Sequence, residues 1–70
     1  MTRKYRVLFL DHSQIVTREE RIDARDDGAA VDRADNLAGS QGAEVWEGLR
    51  QVASLPRGRT GPARPHSYNY

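Results

Sequence analysis

The sequence predicts an α+β domain of ββαββ order: a four-stranded, mainly antiparallel sheet with one helix packed on one face, followed by a disordered C-terminal tail. Three observations carry this reading. Tyr5–Leu10 is an apolar run with large side chains on both faces of an extended strand, a single alanine-rich stripe at helical spacing occupies the middle of the chain, and Gly48 sits in a two-residue connection between two short alternating segments. The chain has 70 residues, 37% of them apolar. That is room for one small domain, since chains rarely subdivide below about 100 residues.

In the first strand Tyr5, Val7 and Phe9 share one face, and Leu8 and Leu10 share the other with Arg6. Apolar residues on both faces point to a central position covered on both sides. Asp11–Gln14 is turn-forming, and the second extended run, Ile15–Ala24, is much more polar. It reads as an edge strand, with Val16, Ile22 and Ala24 on one face beside Arg18 and Glu20, and with charges such as Glu19, Arg21 and Asp23 protecting the edge.

The helix runs from Asp26 or Asp27 to Ala38, with Ala30, Val31, Ala34, Leu37 and Ala38 forming its apolar stripe. Either aspartate can cap the first turn, and Gly39 can stop the helix in the left-handed conformation. Leu37, the largest residue of the stripe, is expected to anchor the helix in the core, so that its truncation to alanine costs about 2–4 kcal/mol. Ala43–Glu47 and Arg50–Leu55 then form a hairpin around Gly48 and Leu49, where glycine supplies the positive φ of a type II′ turn. That turn places Glu47 opposite Arg50, Trp46 opposite Gln51 and Val45 opposite Val52, with Trp46, Ala53 and Leu55 on one face. The strand order 2-1-3-4 lets the helix cross over strand one. A helix of about 12 residues covers only one face of a four-stranded sheet. The other face, carrying Leu8, Leu10, Trp46 and Leu55, is the candidate interface for a second copy of the chain or another protein.

Composition changes after Leu55. Residues 1–55 form the domain, and residues 56–70 hold all three prolines and are expected to be disordered. Arg57, Arg59 and Arg64 make this tail basic; without them eight basic residues face 10 acidic ones in the body, a charge of −2. These three arginines, with the nearby tyrosines, are candidate contacts for weak, salt-sensitive binding of single-stranded nucleic acid, the alternative function.

The motifs Tyr5–Asp11 (YRVLFLD), Arg18–Glu20 (REE), Asp26–Ala30 (DDxAA) and Glu44–Leu55 (EVWEG followed by RxVAxL) resemble a group of short bacterial proteins without an assigned activity. The resemblance covers about residues 4–55 and implies a ββαββ fold; it implies no activity and no cofactor. Its members commonly place glycine in the first hairpin turn and a polar residue after the glycine of the second.

Catalytic constellations are weak. The two histidines, His12 in a turn and His66 in the tail, cannot form a fixed metal pair, and Ser13 beside His12 has no third group to activate it. Glu19/Glu20 read as strand-edge charges and Asp26/Asp27 as helix caps. Glycine-rich phosphate motifs are absent. Arg18, Arg21 and Arg25 are interleaved with Glu19, Glu20, Asp23 and Asp26, which cancel their field. The chain has no cysteine, which excludes disulfides and thiolate chemistry, and its formal charge of +1 indicates no partner class. The longest apolar run falls far short of the ~20 residues needed to span a bilayer, and no signal-peptide pattern is visible. The expectation is a soluble, cytoplasmic, non-enzymatic domain without cofactor or metal, self-associating as a homodimer or binding a protein.

Overall fold

A computed structural model describes residues 1–58. Its element order is β1 (Arg3–Leu10), β2 (Val16–Ala24), α1 (Asp27–Ala38), β3 (Gly42–Glu47) and β4 (Arg50–Leu55). The strands form one antiparallel sheet in the order β2-β1-β3-β4, with the helix on one face. The ββαββ architecture and the strand order are those expected from the sequence. The disorder expected for the tail falls mainly on residues 59–70, outside the described residues.

The first hairpin closes without glycine because Asp11 does the work of a turn residue. Its carboxylate accepts the amides of Ser13 and Ile15 at 2.8 and 3.0 Å, and its own amide donates to the Ile15 carbonyl at 3.0 Å. Gln14 takes the left-handed position, with φ 67°. Beyond the turn, Phe9 pairs with Arg18 and Leu10 with Val16, so Thr17 is the extra residue of a bulge. The bulge changes one expectation. Ile22 and Ala24 are on the helix-covered face with Arg18 and Glu20, but Val16 is displaced onto the other face, opposite Leu10.

The helix begins at Asp27, capped by Asp26, whose side chain accepts the Ala29 amide at 2.8 Å. It ends at Gly39, with φ 62° and its amide on the Asp35 carbonyl. Its buried face is made of Ala30, Ala34 and Ala38, packed against Tyr5, Val7, Phe9, Ile22 and Val45. Leu37 is not the anchor that its size suggests: it is 46% exposed. At about 100° per residue it lies at the margin of the arc centred on Ala34, so its side chain clears the sheet. The bulk comes from the sheet, where Tyr5, Val7, Phe9 and Val45 are the largest fully buried side chains. On the edge strand, the Arg18 guanidinium lies 4.3 Å from the centre of the Phe9 ring and covers it.

The second hairpin turns at Gly48, φ 59°, as expected, with Glu47 opposite Arg50 and Trp46 opposite Gln51. Farther along, a bulge at Val52 corrects the predicted register: Val45 pairs with Ala53, and Val52 is the extra residue. One added residue reverses the alternation beyond it. Ala53 and Leu55 therefore pack against the core on the helix-covered side, opposite Val45 and Ala43, rather than beside Trp46.

The division of volume between helix and sheet is directly testable. Phe9→Ala should destabilise the domain by about 3–5 kcal/mol, whereas Leu37→Ala should cost less than about 1 kcal/mol. Chemical denaturation of the two variants checks the ranking, and equal losses would contradict this account of the core.

Candidate interaction face and the clasp beside it

The helix-free face is built from alternate residues of each strand. Lys4, Arg6, Leu8 and Leu10 come from β1, and Glu44 and Trp46 from β3. Beside them are Val16, Glu19, Arg21 and Asp23 of β2, with Gln51 and Ser54 of β4 on the far side. Of the four candidate interface residues, the fold brings Leu8, Leu10 and Trp46 together here. Leu55 is excluded because the Val52 bulge turns it to the opposite face. Leu8 and Trp46 are half-buried, while Leu10 is nearly covered. The indole is oriented by its own strand: Trp46 Nε1 donates to Glu44 Oε1 at 3.0 Å.

Charge frames this apolar centre. Lys4 Nζ lies 3.5 Å from Asp23 Oδ1 and Arg6 Nη1 3.8 Å from Glu19 Oε2, both across the β1–β2 ladder. Exposed pairs of this kind add about 0–1 kcal/mol each, so they keep the β2 side of the face wet more than they stabilise it. The apolar patch is thus confined to Leu8, Leu10, Val16 and the Trp46 ring. Arg57, the first candidate nucleic-acid contact, is exposed just beyond β4. Arg59 and Arg64 are outside the described residues.

A second cluster occupies the helix-covered side at the opposite end of β1 from the first turn. Arg50 holds Asp27 with two bonds, Nη1 to Oδ2 at 3.0 Å and Nη2 to Oδ1 at 2.9 Å, and also reaches Glu47 Oε1 at 2.6 Å. Arg3 grips the same Glu47 with Nε at 2.8 Å and Nη2 at 2.6 Å. The Tyr5 hydroxyl donates to Asp27 Oδ1 at 2.9 Å. One charge-balanced set thereby joins β1, the first turn of α1, β3 and β4. Bidentate arginine–carboxylate geometry makes these bonds stronger than ordinary surface pairs.

The sequence already paired Glu47 with Arg50 through the turn. Arg3 and the phenol of Tyr5 were missed. The available signal was Tyr5 itself, a core aromatic whose hydroxyl needs a partner, on the same strand face as Arg3. Arg50, and then Tyr5, hold the Asp27 carboxyl down at about 2. Arg3, and then Arg50, hold Glu47 at about 2. Burial, followed by the bond to Asp27, pushes the Tyr5 hydroxyl up. An acid–base pair requires its two members to be pushed apart, whereas these two carboxyls are lowered together, which suits a brace rather than proton transfer.

Among the described residues no group of three or more His, Cys, Asp or Glu is placed to hold a metal ion. No helix there is long and apolar enough to cross a membrane. Fold and face together define a small α+β domain with one helix-covered and one helix-free sheet surface. Compared with models of known protein families, with curated proteins and with solved structures, the chain finds no match.

The clasp predicts an acid limb of stability. Both carboxyls are depressed from ordinary values of 3.8 and 4.5 to about 2 in the folded chain. Their contribution is complete above the unfolded values and disappears as the pH falls through the folded ones, so stability should decline between roughly pH 4.5 and pH 2. Asp27→Asn should lower stability at pH 7 and flatten that decline. Urea midpoints measured across this pH range check both effects, and an unchanged slope in the variant would remove Asp27 from the account.

Proposed function

We propose that the protein is a small non-enzymatic module that self-associates, meeting a second copy through the helix-free face of its sheet. The observation that supports this most directly is Trp46: a half-buried indole beside half-buried Leu8, on a face with no helix over it among the described residues. Tryptophan on such a surface is a favoured anchor because it buries a large area while fixing few torsions. A two-fold contact suits this face because it carries both signs of charge. Arg6 and Arg21 stand on it with Glu19 and Glu44, so a rotated copy can set acids against bases rather than like against like.

Size limits the strength of the contact. Four strands at ~4.8 Å spacing and about six residues at ~3.3 Å rise give about 400 Å² of flat area on each side, at the low end for specific association. The fitting regime is micromolar. In this reading the motifs shared with the short bacterial ββαββ proteins mark a scaffold, with Trp46 and Leu8 as its recognition elements.

Light scattering at high micromolar concentration should give twice the 7.9 kDa chain mass. Trp46→Ala should weaken the dimer at least about fivefold, the loss of about 1 kcal/mol or more expected of an anchor. A single-chain mass throughout that concentration range would refute self-association.

A further inference from the structure

The route by which the chain leaves β4 bears on what covers the helix-free face. Pro56 has no amide hydrogen and ends the ladder, yet the chain stays tied to the sheet: the Gly58 amide donates to the Ser40 carbonyl at 2.8 Å. Between these points it crosses Gly42, which pairs with Leu10 and faces the same side as Glu44 and Trp46. A Cβ on Gly42 would point to that side and lie 3.6 Å from both the Cβ and the amide nitrogen of Arg57. The missing side chain thus leaves space that the outgoing backbone takes. Arg57 also adds electrostatically to Asp11, whose carboxyl is held below its usual range first by the amides of Ile15 and Ser13. Residue 59 therefore begins at the Leu10 end of the helix-free face.

The geometry points to residues 59–70 of the same chain as the occupant of this face, lying across Leu8 and Trp46 and excluding a second copy until displaced. This rests on the face being a binding surface, as proposed above. Trp46 is four residues along β3 from Gly42, about 13 Å, whereas 12 extended residues reach about 40 Å, so the segment spans the patch with length to spare. Its residues suit the surface: Pro62 and Pro65 favour the extended helix that docks on aromatic side chains, and Arg59 and Arg64 match indole and carboxylate neighbours, Glu19 and Glu44 among them. The remainder of the chain carries −2 against the basic arginines of this segment, so attraction acts in the same direction. A segment tethered at the rim has an effective concentration of about millimolar, above the micromolar regime in which so small a face attracts its own copy. Displacement of the segment then sets the concentration at which association begins.

The chain has no cysteine, so Ser67→Cys provides a single attachment point for a nitroxide in the full-length protein. The expected result is broadening of the Trp46 indole and Leu8 methyl resonances in dilute singly labelled protein. Broadening should be absent when nitroxide-bearing chains of natural isotope content are mixed with isotope-labelled chains lacking nitroxide. No broadening in the singly labelled sample, or broadening only in the mixture, overturns the inference. The full-length double variant Tyr68→Ala/Tyr70→Ala should shift Trp46 emission to longer wavelength and lower the midpoint concentration of dimer formation several-fold; unchanged emission counts against it. The two readings fail separately. A dimeric mass without intrachain broadening removes the tethered segment and keeps the dimer, and broadening in a chain that is monomeric at every concentration does the reverse.

Discussion

Close approach of an alanine-faced helix to a sheet that supplies the bulk is the constraint on which the rest depends. Ala30, Ala34 and Ala38 present only methyl groups, so the core is filled from below by Tyr5, Val7, Phe9 and Val45. The arrangement suits a chain of 70 residues, because one layer of large side chains under a slender helix closes a core without a second helix. It also accounts for exposed Leu37: a leucine at the edge of the arc is not needed where the volume comes from the strands. The corollary is a sheet whose second face has no helix of its own.

The clasp of Arg3, Glu47, Arg50, Asp27 and Tyr5 completes this arrangement at one end. A helix that offers little apolar volume is weakly held by packing, and its first turn is tied to three strands by directional bonds. Asp27 serves two ends at once: it is the acidic residue in the first helical turn, favourable to the dipole there, and the acceptor for Tyr5 and Arg50. Asp26 is thereby left to cap the helix, so the adjacent aspartates divide the tasks. With every strong donor of the cluster matched by a carboxylate, the charges balance where they are closest.

The two faces of the sheet differ in how they handle water. On the helix side, Arg18 folds its guanidinium over Phe9 and extends cover to the polar edge strand. On the other side, the β1–β2 ladder is lined with opposite charges, and only the centre and the β3 side remain apolar. The β2 edge discourages pairing through its charges. Contact is therefore directed to the face around Trp46, where an aromatic anchor and half-covered Leu8 lie together and where the outgoing chain makes its first turn over Gly42.

Element type and order were legible in the sequence because each is governed by local chemistry: apolar periodicity in β1 and α1, the caps at Asp26 and Gly39, the left-handed glycine at the second turn. The near-turn pairs Glu47/Arg50 and Trp46/Gln51 followed from that turn, and with them half of the clasp. Which face Leu55 and Val16 occupy was decided only in the folded sheet, because a bulge inserts one residue and reverses every side chain beyond it, and neither Thr17 nor Val52 announces one. The exposure of Leu37, the grip of Arg3 on Glu47 and the passage of Arg57 over Gly42 likewise belong to tertiary structure. Periodicity reports which side of an element faces inward, but how closely two elements approach, and which distant charges then meet, depends on the volumes of all the side chains packed between them.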